Sequence, residues 1–157
     1  MKVLVAMSKY ICLDSSVFVK LFIEEDDSNK AKVLFQKIIE DNQMIVLPAF
    51  AWAEIGSIIR KKIRRGELGP READEIWSAF RQFPGIIYLE EEAVADRAWK
   101  ISRYFNLPTL YDAAFLAVSE EIKWRTGETC ELWTTDERLV QNLKGKKEYV
   151  NSLKDIG

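Results

Sequence analysis

The sequence predicts an α/β fold, a three-layer sandwich with a mainly parallel five-stranded sheet between helices. Three observations lead there. Short apolar runs alternate with longer segments whose apolar residues recur at helical spacing. The short runs are continuous rather than alternating, as in strands buried on both faces. No two of them are joined by an Asn-Gly or Asp-Gly turn, so the hairpins of an antiparallel sheet are not expected.

The elements follow in order. "YICL" at 10–13 reads as the first strand, bounded by "DSS", where Asp14 or Ser15 can cap the helix "SSVFVKLFIEE". "EEDDSNK" breaks that pattern. An amphipathic helix over 30–41 carries Ala31, Leu34, Phe35, Ile38 and Ile39 at helical spacing. "MIVL" at 44–47 is a second strand. Pro48 closes it and suits the first turn of a helix running to about Arg65. After the loop "GELGP", a helix over 71–83 lines up Ala73, Ile76, Trp77 and Phe80. "GIIYL" at 85–89 is a third strand. Helices over 91–105 and 110–125 are divided by "NLPT". "CELWTT" at 130–135 is a fourth strand, "DERLVQNLKG" a short helix and "EYVN" a fifth strand at the edge. There is no internal repeat, low-complexity segment or linker. The 157 residues are read as one domain with a sizeable core.

Composition excludes several chemistries. The chain holds no histidine, which removes Ser-His-Asp and Cys-His arrangements, His general bases and ordinary His-ligated zinc. The two cysteines, Cys12 and Cys130, match no zinc spacing and are too few for a disulfide scaffold. They read as small buried apolar residues. A formal net charge of −2 argues neither for nor against nucleic acid. No apolar run is long enough to span a membrane, and the N-terminal "MKVLVAMSKYICLD" lacks a signal-peptide core and cleavage site. A cytoplasmic protein with no membrane partner is expected.

What chemistry remains is carried by acids at strand ends, where α/β folds bind ligands. Asp14 ends the first strand, and Asp136 stands just past the fourth. Asp112 opens the helix after "NLPT", and Glu54 lies on the helix after the second strand. The three aspartates also have structural readings. Asp14 and Asp136 stand where helix caps stand, and Thr109-x-x-Asp112 resembles a capping box. Capping and catalysis are not exclusive. Glu54 is different. From Asn42 to Ile59 it is the only charge, set among Phe50, Trp52, Ile55, Ile58 and Ile59. An ionised carboxylate is rarely buried without a partner. It faces either a buried cation or a pocket. Lys61 and Arg65 fall on nearly its side of the helix, suited to phosphate contacts or to a solvated helix end. Carboxylates brought together repel one another, and hard cations such as Mg²⁺ or Mn²⁺ relieve that repulsion. Such ions hydrolyse phosphodiesters without histidine.

"ICLDSSVFVKLF", "PAFAWAEIGSIIRKK", "LPTLYDAAFLAVSEE" and "LWTTDERLV", in that order, resemble the PIN-domain nucleases, especially the VapC-type toxins of prokaryotic toxin–antitoxin pairs. The resemblance spans nearly the whole chain. It implies a parallel five-stranded sheet between helices and an Mg²⁺- or Mn²⁺-dependent endoribonuclease. Asp14, Glu54, Asp112 and Asp136 match the family's acids as metal ligands and catalytic residues. Thr134 supports the site's water, and Ser16 assists beside Asp14. It further implies an RNA substrate, a cognate antitoxin and a homodimer. "MKVLVA" precedes the family's usual start, and Met7 is an alternative initiator. The tryptophans could serve a dimer face, but core packing is the expected use of aromatics.

Two other classes compete. A receiver-like signalling domain also places acids at strand ends. It needs an acidic pair by the first strand and a phosphoacceptor Asp ending a middle one, whereas here the ends read "LDSS" and "YLEEE". A catalytically silent PIN-fold module would bind RNA or protein without cleaving. A DxD phosphatase is set aside because "DSS" lacks the second acid.

Overall fold

The computed structural model describes residues 8–157. The readings that fall on residues 1–7, including Met7 as an initiator, lie outside the described residues. Five strands form one all-parallel sheet: β1 (Tyr10–Leu13), β2 (Met44–Pro48), β3 (Ile86–Leu89), β4 (Glu131–Thr134) and β5 (Val150–Ser152). Their spatial order is β3-β2-β1-β4-β5. In register, Tyr10 lies beside Met44 and Leu13 beside Trp133, and Thr134 lies beside Ser152.

Parallel neighbours require crossovers. α1 (Ser15–Phe22) and α2 (Ser28–Glu40) lead from β1 to β2, and α3 (Ala51–Arg64) and α4 (Pro70–Arg81) from β2 to β3. α5 (Glu92–Tyr104) and α6 (Leu110–Thr126) return to β4, and α7 (Glu137–Leu143) leads to β5. The chain steps outward from β1 to β3, then back past β1 to β4. Right-handed crossovers in opposite directions put α1 to α4 on one face and α5 and α6 on the other. The contacts agree: α1 packs on α2 and α3, while α6 lies on β1, β2 and β4 beside α5. The order reverses between β1 and β4, so the ligand-binding crevice of such a sheet opens at their carboxyl ends.

Each face has its own filling. On one, Phe18 meets Phe35, Phe80 and Phe83 edge-to-face at 5.4, 5.7 and 6.4 Å. Such a buried phenylalanine contributes about 2–3 kcal/mol by area. On the other, every residue from Ala113 to Ser119 is buried. The alanines let α6 sit close to the sheet, where the Cys12 thiol donates to the Phe115 carbonyl at 3.7 Å. α6 stops at Gly127, whose φ of 77° is the left-handed conformation of a helix C-terminus. Glu121, 3% exposed, ties α6 to α5. It accepts from Arg97 Nη2 at 3.1 Å and from Arg125 Nε at 3.0 Å.

Several boundaries differ from the sequence reading. Pro48 belongs to the carboxyl end of β2, not to a helix. It lies beyond the residues paired with β1, where its missing N–H costs no ladder bond on that side. α3 therefore starts at Ala51. The next helix begins at Pro70, with proline in its first turn. β5 is an edge strand as expected but begins at Val150. The tryptophans are not chiefly core residues, since Trp52, Trp99 and Trp124 are 49%, 56% and 75% exposed. Among the described residues no helix is long and apolar enough to cross a membrane.

Candidate functional site

The carboxyl ends of β1 and β4 meet through hydroxyls. Asp14 follows β1, and its backbone N–H extends the ladder to the Trp133 carbonyl at 3.0 Å. Its carboxylate Oδ2 accepts from Thr134 Oγ1 at 2.8 Å and from Ser16 Oγ at 3.2 Å. Ser16 is itself fixed by the Thr135 hydroxyl, which donates to it at 2.8 Å. Thr134 Oγ1 also accepts from the Asp136 N–H at 3.0 Å. One buried threonine thus links the acid after β1 to the acid after β4.

The helix-cap readings divide. Asp136 caps α7, its Oδ1 accepting from the Arg138 and Leu139 N–H groups at 3.1 Å each. Asp14 stands at the N-cap of α1 but makes no capping bond with its side chain. Thr109 makes none for α6, so the Thr109–Asp112 capping box does not form. Asp112 is left without a structural partner of this kind. Glu54 lies in the first turn of α3, because that helix starts at Ala51. The positive end of the helix dipole is therefore available to Glu54. All four acids stand at helix N-termini, those of α1, α3, α6 and α7. A carboxylate in that position interacts favourably with the positive end of its own helix dipole.

The electrostatics report convergence. Desolvation raises the Asp112 carboxyl to about 6, and repulsion from Asp14, Asp136 and Glu54 adds to it. Burial also raises Asp14, against the hydrogen bonds from Thr134, Ser16 and the Ser15 N–H, with Asp136 adding repulsion. Glu54 is half-buried and raised by desolvation, then by Asp14, while the nearby Ser15 hydroxyl opposes the shift. That hydroxyl is buried and has no hydrogen bond of ordinary geometry. The acids are not neutralised by ion pairs, since the ten pairs among the described residues involve none of the four.

The remaining expected residues are placed less tightly. Lys61 and Arg65 are exposed, further along or just past α3. At 1.5 Å per residue they lie roughly 10 and 16 Å along the axis from Glu54. Neighbouring Lys62 is the residue that pairs, with Glu25 at 3.0 Å and Glu67 at 3.5 Å. The sequence reading missed Ser15 and Thr135. The signal for both was present in the hydroxyl runs "DSS" and "TTD".

Three carboxylates of raised proton affinity, Asp14, Glu54 and Asp112, with no cationic partner, suit a hard divalent cation in donor chemistry and in charge. Among the described residues, however, no group of three or more Asp, Glu or Cys side chains is close enough together to hold a metal ion. No curated protein matches the chain in sequence. Among solved structures, a toxin-antitoxin complex from Klebsiella pneumoniae is similar, with a TM-score of 0.59 at 17% identity. The match covers 91% of this chain and 97% of that one. At that identity the likeness concerns the fold. The family model of the PIN domain matches residues 11–143, from β1 to the last residue of α7. That span includes all four acids and the strand-order reversal between them, and the chain belongs to the PIN domain family.

Proposed function

We propose that the chain is a divalent-cation-dependent endoribonuclease, the toxin of a toxin–antitoxin pair, acting as a single cytoplasmic domain. The observation that carries this reading is the raised proton affinity of Asp112 through burial and three other carboxylates, with no basic side chain paired to any of them. Family membership supports a nuclease. The similar Klebsiella pneumoniae structure, itself a toxin–antitoxin complex, supports a cognate antitoxin as partner. A homodimer is part of the same proposal.

Asp14, Glu54, Asp112 and Asp136 would hold Mg²⁺ or Mn²⁺. When bound, the cation polarises the scissile phosphodiester and stabilises charge on the leaving oxygen. The chain's own residues do the positioning. Thr134 and Ser16 donate to Oδ2 of Asp14 and so fix which carboxylate lone pairs face the crevice. The capping bonds of Asp136 occupy Oδ1 and leave its other oxygen for the site. The Asp112 carboxyl, raised to about 6, is ready to carry a proton near that pH in the cation-free protein. Lys61 and Arg65 contribute phosphate contacts that carry no sequence information.

The test is cleavage of an RNA panel with Mg²⁺ or Mn²⁺. Cleavage should vanish in EDTA and in Asp14→Asn and Asp112→Asn. Activity indifferent to EDTA or to either substitution would sink the reading. The absence, among the described residues, of three acids close enough together to hold a metal ion favours a second reading, a silent binding module. Calorimetry separates the two, because a silent module should bind Mn²⁺ no better than its Asp112→Asn variant.

A further inference from the structure

Away from the acidic crevice, a hollow of about 650 Å³ lies between α5, α6 and the loop from α7 to β5. Arg97, Lys100, Lys146 and Lys147 line it, against the single carboxylate of Glu120. In a chain of net charge −2 this is a local reversal of sign. The four cations differ in state. Lys147 is paired with Glu120 at 3.1 Å, and Arg97 is held by Glu120 and Glu121. Arg97 Nε is buried without a hydrogen-bond partner. Lys100 and Lys146 are exposed, and neither makes an ion pair among the described residues.

The hollow also has an aromatic wall. Tyr104 is 83% exposed, the most exposed large apolar residue among those described. Its ring meets Phe105 edge-on at 4.9 Å, which leaves its face uncovered. Lys146 and Lys147 carry their Nζ atoms 5.8 and 5.7 Å from the Phe105 ring. Phe105 is anchored in turn through its carbonyl, which accepts from Asn142 of α7 at 3.4 Å. The segment from Phe105 runs directly into α6 and Asp112.

We infer that this hollow binds a single strand of RNA outside the acidic crevice, with a base stacked on Tyr104 and phosphates on Lys100 and Lys146. Unpaired cations beside an exposed aromatic platform are the chemistry of single-strand binding, in which stacking is tolerant of sequence and the cations follow the backbone. An acidic peptide would use the lysines but leave the Tyr104 ring without a role. The inference rests on the reading of the chain as acting on RNA and gives that substrate a second point of attachment.

The test uses the full chain carrying Asp14→Asn, in Mg²⁺, so that RNA is held without being cut. A fluorescent single-stranded RNA is titrated and its anisotropy followed across a salt series. Tyr104→Ala should weaken binding by about 5-fold or more, the range for loss of one stacked base. Lys100→Ala with Lys146→Ala should lower the slope of log affinity against log salt by about 1.4, for two phosphate contacts to a single strand. RNA carrying 4-thiouridine should photo-crosslink within 97–105. If both variants fold and bind RNA like the parent while the wild type cleaves RNA with metal, the hollow is wrong and the nuclease reading stands. If the wild type neither binds nor cleaves RNA, both fall. If poly-glutamate competes as well as RNA and Tyr104→Ala changes nothing, the surface takes acidic peptides and the RNA assignment is overturned.

Discussion

The Thr134 hydroxyl donates to Asp14 Oδ2 at 2.8 Å, joining residues 120 positions apart across the point where the strand order reverses. The same oxygen accepts the Asp136 N–H. Thr134 is fully buried, so neither bond has water as a ready substitute. Thr134→Val keeps the shape and removes both. It should cost about 1–3 kcal/mol, the range for leaving buried polar groups unpaired. Thr134→Ser should recover most of the loss. Urea denaturation measures both, and equal stability of the valine and serine variants would show that the hydroxyl does not hold these strands together.

Asp112→Asn should raise the stability of the cation-free protein at neutral pH. The carboxyl is ordinary at 3.8 in the unfolded chain and is raised to about 6 when folded. Below about pH 4 both states are protonated and the group is neutral for stability. As pH rises toward 6 the unfolded state releases its proton first, so stability falls and stays lowered above that point. A two-unit shift corresponds to about 3 kcal/mol if fully buried. Solvent screening of this partly exposed group reduces that to about 1 kcal/mol. Denaturation midpoints should therefore diverge between pH 4 and 6, the variant becoming the more stable. Parallel pH profiles would show that burial beside the other acids does not raise the Asp112 carboxyl as described.

Cation binding should carry the opposite pH dependence. The ligands must be ionised, so affinity for Mn²⁺ should rise toward pH 6 by up to about tenfold per unit for one released proton, then level off. Calorimetry at pH 5, 6 and 7.5 in two buffers of different ionisation heat counts the proton directly. Affinity unchanged over that range would remove Asp112 from the ligand set.

Much of this architecture was legible in the sequence because the strands are short, continuous and apolar, and the acids fall where they end. Less legible was where each helix begins. Pro48 has the φ of a helix start, yet pairing with Leu89 extends β2 through it and moves the start of α3 to Ala51. That shift gives Glu54 a first-turn position that spacing alone denied it. Glu54 is half-buried and without an ion pair, whereas Glu121 is the buried, salt-bridged acid. Nothing in "AVSEE" reveals this, because Arg97 reaches Glu121 from another helix. Exposure of the tryptophans was hidden for a similar reason: apolarity says what can be buried, and topology decides what is.

Cys12 and Cys130 should be inert in the folded protein. Burial pushes the Cys12 thiol well above its ordinary range and Cys130 up to about 12. A thiol reacts as its thiolate, so both should fail to reduce Ellman's reagent in native buffer and both should react in guanidinium. One fast-reacting equivalent in native buffer would mean that a thiol is accessible.

Glu121 supports the sharpest stability prediction. Its two oxygens receive Arg97 from α5 and Arg125 from α6. Both arginines have a further acidic neighbour, Glu120 for Arg97 and Glu91 for Arg125. Removing the central acid would leave each arginine with that one remaining partner, and Arg97 already has a buried Nε without a partner. Breaking a fully buried pair costs about 3–5 kcal/mol, and the partial exposure of both arginines, with their second partners, reduces that here to about 1–3 kcal/mol. Glu121→Ala should therefore destabilise by roughly that amount. Combining Glu121→Met with Arg97→Leu should cost less than the single change, since Arg125 keeps Glu91 in both and the desolvated Arg97 charge is gone from the double variant. A double variant as unstable as Glu121→Ala would mean that packing, not charge, gives the residue its role, and a single variant of near wild-type stability would mean that the network between α5 and α6 is ornamental to the fold.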